Sequence, residues 1–252
     1  MLVSFIYSIV VIIILGFLYK KLIAWEYPLK ISRAQAILPI GLGILSLPLS
    51  FIIFLIIGSI CHNVFGFSIG DGPLLLASFI SALLSAALNE ELAKMIFILV
   101  VIGIFRKKIR NVYEYILIGG AVGFGFTIVE EYVYGSGIAS MILRLVTITF
   151  HMMLGFAMGR HLGLARYNKV TGKGPVGKEY LLAYFLPVAV HTIYDTLAVN
   201  KLITAEDQLT QIFGIIMVVV ALVLAFALQV YVFKRLRKNA ETLAALSVLP
   251  NG

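Results

Sequence analysis

Apolar residues along this chain fall into long blocks broken by short polar stretches, without the alternation of polarity that a membrane strand would show. Seven blocks stand out, at about 2–20, 34–59, 74–105, 112–134, 138–160, 180–199 and 209–233. Each is near or above the roughly 20 residues that an α-helix needs to cross hydrocarbon. The pattern predicts an all-α fold, a polytopic transmembrane helical bundle of about seven spans. The third block is longer than a bilayer requires, so it either tilts or lays its first turns at an interface. No internal repeat or low-complexity region divides the chain, and 1–252 is read as a single integral membrane domain.

The charges between the blocks orient the bundle. Lys20, Lys21, Lys30 and Arg33 follow the first block, and Arg106, Lys107, Lys108 and Arg110 follow the third. Arg160, Arg166, Lys169, Lys173 and Lys178 follow the fifth, and Lys234, Arg235, Arg237 and Lys238 follow the seventh. The intervening connections 61–72, 135–137 and 200–208 carry one lysine and no arginine. The positive-inside rule therefore places the N-terminus outside and the C-terminus in the cytoplasm. The first block lacks a charged start and its lysines come after it, so it reads as a retained span rather than a signal. Composition agrees, at 61% hydrophobic and 13% charged. The net charge of +8 belongs to the one-sided loops, so the expected surroundings are a lipid bilayer and no nucleic acid. The single cysteine, Cys61, excludes an intrachain disulfide and a Cys-rich metal cluster.

Five of the twelve acidic residues fall inside predicted spans: Glu90, Glu91, Glu130, Glu131 and Asp195. Lys94, Arg144, His151 and His191 join them. An ionised group at the bilayer centre costs at least about 2.5 kcal/mol, so such residues face one another or a wet cavity and mark function by default. Helical spacing allows them to converge. Glu90 or Glu91 shares a face with Lys94, Arg144 with His151, and His191 with Asp195. Counted from the outer ends, Glu130 and Glu131 are shallow, Arg144 slightly deeper, His191 in the outer half, and His151 and Glu90 nearer the middle. All can line one cavity open to the outside. Gly119, Gly123, Gly155 and Gly159 have small-xxx-small spacings that permit close helix approach. Against this constellation, Glu130 with Arg144 also reads as a structural ion pair and Lys94 as a neutraliser of Glu90 or Glu91. His62 and His161 are read as span-end or loop residues. Asp71, Glu114, Glu179, Glu206 and Asp207 are read as solvated loop residues.

Peptide hydrolysis needs an activated water, a proton donor for the leaving amine and stabilisation of an oxyanion. Glu90 or Glu91 can serve as the base. His151 and His191 can bind zinc or donate hydrogen bonds, and with Glu130, Glu131 or Asp195 they make up the three protein ligands of a catalytic zinc. No HExxH helix is present, so such a site must be assembled from several helices. There is no GxSxG motif and no candidate Cys–His pair in the spans, which argues against serine or cysteine chemistry.

Glu90-Glu91-Leu92-Ala93-Lys94 resembles the EExxK motif of the PrsW family of intramembrane proteases. Gly123-Phe124-Gly125-Phe126, with Glu130-Glu131 and Tyr134, resembles that family's second motif. His151 with Gly155 and Gly159 resembles the third, and His191-Thr192-Ile193-Tyr194-Asp195 the fourth. The set runs in order over about 85–200. Where the family pattern has Asn after the second-motif glutamate, this chain has Glu131, which leaves Glu130 and Glu131 both as candidates for that role.

The resemblance implies a bacterial plasma-membrane endopeptidase. It would cut a single-pass membrane protein near its outer face, as in site-1 cleavage of an anti-sigma factor. The implied catalytic set is Glu90, Glu91, Glu130, His151, His191 and Asp195, with His151, His191 and Glu130 as metal ligands if zinc is used. The more distant CAAX-type and bacteriocin-processing proteases share the paired glutamates and late histidine, and that likeness implies a metal-free glutamate mechanism instead. Two other classes remain open: a proton- or cation-coupled transporter, whose relays also use buried carboxylates and histidines, and a catalytically inactive protein that binds a membrane partner. No duplicated halves are visible, which counts against the transporter.

Overall fold

A computed structural model describes residues 2–26, 28–135 and 137–249. Met1 of the first apolar block and Ser136 of the connection 135–137 lie outside the described residues. The described chain is helical, with an isolated bridge between Asn111 and Ser247 and no strand. Its α-helices are α1 (Leu2–Ala24), α2 (Arg33–Asn63), α3 (Leu74–Ser81), α4 (Leu88–Phe105), α5 (Val112–Tyr134), α6 (Ile138–Val146), α7 (Phe150–Thr171), α8 (Val176–Ala198) and α9 (Gln208–Ala244). A π-helical segment, Ala82–Ala87, joins α3 to α4 in one helical rod, and a short 3₁₀ turn covers Lys201–Thr204. Six helical segments are long and apolar enough to cross a membrane. The rod from α3 through α4 is the remaining block, the third, at 74–105.

The helix ends are set by local chemistry. Ser32 and Gln35 form a reciprocal capping box at the start of α2. Asn111 accepts from the Glu114 amide at the start of α5 (2.9 Å), and Asp207 accepts from Thr210 at the start of α9 (2.8 Å). Gly172, at φ 70°, ends α7 in the left-handed conformation that glycine adopts without penalty.

Helix α5 is the centre of the bundle, packed between α2 and α7 and buried along most of its length. Glycines make that possible. A Cβ on Gly119 would meet the Gly155 carbonyl, and a Cβ on Gly155 would meet that of Gly119. Gly123 lies against the His151 carbonyl, and Gly159 against that of Tyr115. On the opposite side, Gly125 packs on the Ile40 carbonyl and Gly43 on that of Val122. Without side chains at these points the backbones approach closely and gain dispersion contacts, the main source of helix association in lipid. The outward faces of α1, α2 and α9 remain apolar and exposed, as expected of surfaces that meet acyl chains.

Alternate connections meet at opposite ends of the bundle. At one end, Val112 donates to Leu246 O (3.1 Å), Val248 donates to Arg110 O (2.9 Å) and Arg166 to Val248 O (3.2 Å). Arg110 also reaches Lys30 O (3.0 Å), so the basic connections and the tail gather there. At the other end Lys201 Nζ donates to Gly70 O (2.5 Å), and Tyr7, near the start of α1, meets Glu131, near the end of α5.

Several of the sequence assignments change, Glu179 among them, which lies in the first turn of α8 and not in a loop. The block at 138–160 is not one helix: it breaks at Thr147–Thr149, between α6 and α7. The loose ends find a partner in α9, where Gln229 Oε1 accepts from the Thr149 amide (3.1 Å) and hydroxyl (2.5 Å) and Gln229 Nε2 donates to Val146 O (3.3 Å). A broken helix at this depth persists only when its freed backbone groups are satisfied within the protein. Glu114 and His161 are also not loop residues. Glu114 is buried at the start of α5, bonded to Arg110 Nε (2.6 Å), because the capped first turn faces the packed basic end. His161 is buried within α7 and meets Glu179 Oε2 (2.6 Å).

Candidate active site

The charged residues of the spans converge between α4, α5, α6, α7 and α8. The π segment ends three residues before Glu90. Asn89 Nδ2 donates to Leu84 O five residues back (2.7 Å), filling a carbonyl left by the wider helical turn. Such bulges re-aim the residues that follow, often at functional sites. Here they carry Glu90 and Glu91 into the cluster.

Glu91 forms the sealed floor. Its Oε1 accepts from Lys94 Nζ (2.6 Å) and lies 2.6 Å from His191 Nδ1, and neither Glu91 nor Lys94 has any exposed surface. Lys94 Nζ also lies 2.9 Å from His151 Nδ1 and sits 4.3 Å above the Phe126 ring. Since a lysine ammonium only donates, it fixes His151 Nδ1 as the acceptor and leaves the ring proton on Nε2. That nitrogen lies 2.7 Å from Glu130 Oε2, a carboxylate that accepts it. His191 has carboxylates at both ring nitrogens: Glu91 at Nδ1, and Asp195 Oδ2 at 3.3 Å from Nε2. The two imidazole centroids are 5.1 Å apart, and Phe150 packs against both rings and against Tyr194.

Exposure rises from this floor towards one mouth. Glu90 and Glu130 side chains are 15% exposed, Asp195 18% and Arg144 27%. The mouth lies where α5 ends, α6 begins and α8 ends, the end of the bundle opposite the basic connections. Arg144 bridges it, with Nη2 3.0 Å from Glu130 Oε1 and Nε 2.9 Å from Glu131 Oε2. Glu131 also accepts from the Tyr7 hydroxyl (2.6 Å), so it ties α1, α5 and α6 together. The two neighbouring glutamates therefore differ in position. Glu130 faces His151, and Glu131 faces away from it into a structural network.

Glu90 is the least engaged member. Its one basic contact among the described residues is His191 Nε2, at 3.9 Å, and its Oε2 is buried without a hydrogen-bond partner. Glu91 Oε2 is likewise buried and unpartnered. One ligand atom from each of Glu90, Glu91, His151 and His191 can be chosen so that all lie within 4.8 Å of one another.

A sequence-family model described as the PrsW family intramembrane metalloprotease matches residues 34–237. The chain belongs to the PrsW family. It is similar to Protease PrsW of Halalkalibacterium halodurans, with 31% identity over 88 residues, 34% of this chain and 39% of that protein. It is similar also to Protease PrsW of Bacillus subtilis (strain 168), with 31% identity over 121 residues, 47% of this chain and 54% of that one. The matched stretches thus span about half or less of these curated relatives' length. No solved structure matches the chain.

All four PrsW-like segments noted in the sequence contribute to the cluster: Glu90, Glu91 and Lys94 from α4, Glu130 from α5, His151 from α7, and His191 and Asp195 from α8. The donor atoms that lie close enough to share an ion are not those of the expected trio His151, His191 and Glu130 alone. They pair the two histidines with Glu90 and Glu91, while Glu130 stands beside them at His151 Nε2. Lys94 neutralises Glu91, and Arg144 pairs with Glu130 as the structural reading expected. The sequence reading did not single out Tyr7, Asn89, Phe150 or Gln229. An amide deep within the otherwise apolar last span is the signal that would have flagged Gln229.

Proposed function

We propose that this protein is an intramembrane endopeptidase that cuts a single-pass membrane protein near the end of the bundle opposite its basic loops. The observation that carries the reading is the pair of buried, unpartnered oxygens Glu90 Oε2 and Glu91 Oε2, held within one ligand-sized cluster with His151 and His191. Buried polar atoms are nearly always satisfied, and exceptions concentrate at catalytic or ion-binding positions.

Glu90 is the group free to accept a proton from water and return it to the leaving amine. Glu91, pinned by Lys94, orients His191, while Asp195 meets the other nitrogen of the same ring. His191 Nε2, met by Asp195 only at 3.3 Å, is the ring nitrogen placed to meet a developing oxyanion when it carries a proton. Glu130 holds His151 in one tautomer. Lys94, Glu131 and Arg144 are positioning residues.

The donor set of two imidazoles and two carboxylates, two of whose oxygens lack partners, fits a divalent transition metal such as zinc. His151, His191 and Glu91 would hold it, with Glu90 left free beside it as the base, and it would supply Lewis-acid polarisation and a more acidic water. The family description as a metalloprotease favours this over the metal-free glutamate mechanism. A bacterial plasma membrane and an anti-sigma-factor-like substrate are the setting we infer, with the N-terminus outside.

The test is metal content of the purified protein, paired with cleavage of a model single-pass substrate before and after chelation. Near-stoichiometric zinc, absent in His151→Ala, with activity lost on chelation and restored by zinc, supports the metalloprotease. Cleavage that persists without metal and fails in Glu90→Gln supports the glutamate mechanism. No cleavage under either condition contradicts the proteolytic reading.

A further inference from the structure

A second cavity lies between α7, α8 and α9, on the basic side of the proposed active site. It measures about 520 Å³, within the roughly 300–1,000 Å³ of small-ligand sites. Its deep end is apolar, walled by Met153, Leu154, Pro187 and Val190. Its other end carries Arg160 from α7 and Arg235 from α9. Seven residues of α7 separate Met153 from Arg160, a length of about 10 Å.

The two arginines differ from Arg110 and Arg166 at this end of the bundle. Arg110 is bonded to Glu114, and Arg166 to a tail carbonyl. Arg160 and Arg235 make no ion pair or hydrogen bond among the described residues, although both are exposed at the mouth of the same cavity. The nearby acid, Glu179, is already held by His161 at 2.6 Å. The cavity thus combines a groove suited to an acyl chain with two uncommitted cations, at the level where the basic loops mark a membrane surface.

We propose that this groove binds one anionic glycerophospholipid, its phosphate between Arg160 and Arg235 and an acyl chain along α7 towards Met153. A small phosphate would leave the apolar depth unfilled. A zwitterionic lipid would satisfy the groove but bring no net negative charge to the arginines. The site is independent of the proteolytic reading, because none of these residues belongs to the catalytic cluster.

The experiment is native mass spectrometry of the full chain in detergent, titrated separately with dioleoylphosphatidylglycerol, dioleoylphosphatidylcholine and glycerol 3-phosphate. The site predicts one retained phosphatidylglycerol per chain, several-fold less phosphatidylcholine and no glycerol phosphate. Arg160→Gln with Arg235→Gln should cut phosphatidylglycerol retention about tenfold. The corresponding double lysine variant should keep most of it. Ala157→Trp, which fills the apolar part and leaves both arginines, should reduce retention of both lipids. Melting curves show that each variant is folded. Equal retention of the two lipids, or retention unchanged by both the arginine and the Ala157 variants, overturns the proposal. So does displacement of the lipid by an uncharged single-pass peptide, which would make the groove a helix-docking surface.

Discussion

His191 Nδ1 and Lys94 Nζ both lie 2.6 Å from Glu91 Oε1, so one buried carboxylate oxygen holds a cation and an imidazole together. Removing a partner from such a pair leaves a charge buried without compensation, at a cost of about 3–5 kcal/mol. Glu91→Gln should therefore lose both activity and stability. Lys94→Met should destabilise to a similar degree, and the double variant should recover part of the loss. Thermal melting in detergent, read as a double-mutant cycle, checks this. Additive losses would show that the pair does not couple.

Gln229 predicts a different phenotype, since it lies on α9 and touches the α6–α7 break rather than the cluster. Gln229→Leu leaves the Thr149 amide and the Val146 carbonyl without their side-chain partner, at a cost of about 1–3 kcal/mol. Because His151 is the second residue of α7, the loosened helix start should also lower the cleavage rate. Gln229→Glu, which keeps an acceptor for Thr149, should retain more activity than Gln229→Leu. A Leu variant with unchanged melting and rate would remove Gln229 from the account.

Gly123 sets the spacing between α5 and α7 where His151 sits, because an added Cβ would collide with the His151 carbonyl. Gly123→Ala should cost about 1–3 kcal/mol through overpacking and reduce cleavage more than a substitution in open space does. Gly103→Ala is the control, since a Cβ there meets nothing within 4 Å.

Much of this was legible in the sequence, for definite reasons. Intramembrane charges are costly enough to be forced together, so the convergence of Glu90, His151 and His191 follows from their presence in apolar blocks. The small-residue spacings of Gly119 and Gly123 in the fourth apolar block and of Gly155 and Gly159 in the fifth likewise announce the α5–α7 contact. What was hidden depends on side chains that satisfy backbone groups at long range. The break at Thr147–Thr149 lies within one continuous apolar block, and the side chain that satisfies its backbone, Gln229, is 80 residues away. The π segment leaves no compositional mark either. Glu114 reads as a loop acid because its neighbours are basic, yet it is buried against Arg110, while Glu26 meets Asn111 and the tail meets Val112.

Glu26, in the connection between α1 and α2, gives a pH prediction away from the cluster. Burial, reinforced by the Glu114 charge, pushes its carboxyl from an ordinary 4.5 up to about 7. Below 4.5 the group is protonated whether the chain is folded or not. Between 4.5 and about 7 the unfolded chain releases the proton while the folded one keeps it, so stability falls as pH rises through that window. The loss should reach at most about 3 kcal/mol. Glu26→Gln should flatten the melting temperature over this range, and a slope unchanged in the variant would assign the effect elsewhere.

The central claim is that Glu90 performs proton transfer while Glu91 holds the cluster together. The direct measurement is cleavage of a single-pass reporter in proteoliposomes by wild-type protein and by Glu90→Gln, with melting temperatures taken in parallel. The account predicts a rate lowered about 10²–10⁴-fold in Glu90→Gln with melting unchanged. Undiminished cleavage by a folded Glu90→Gln protein would contradict it.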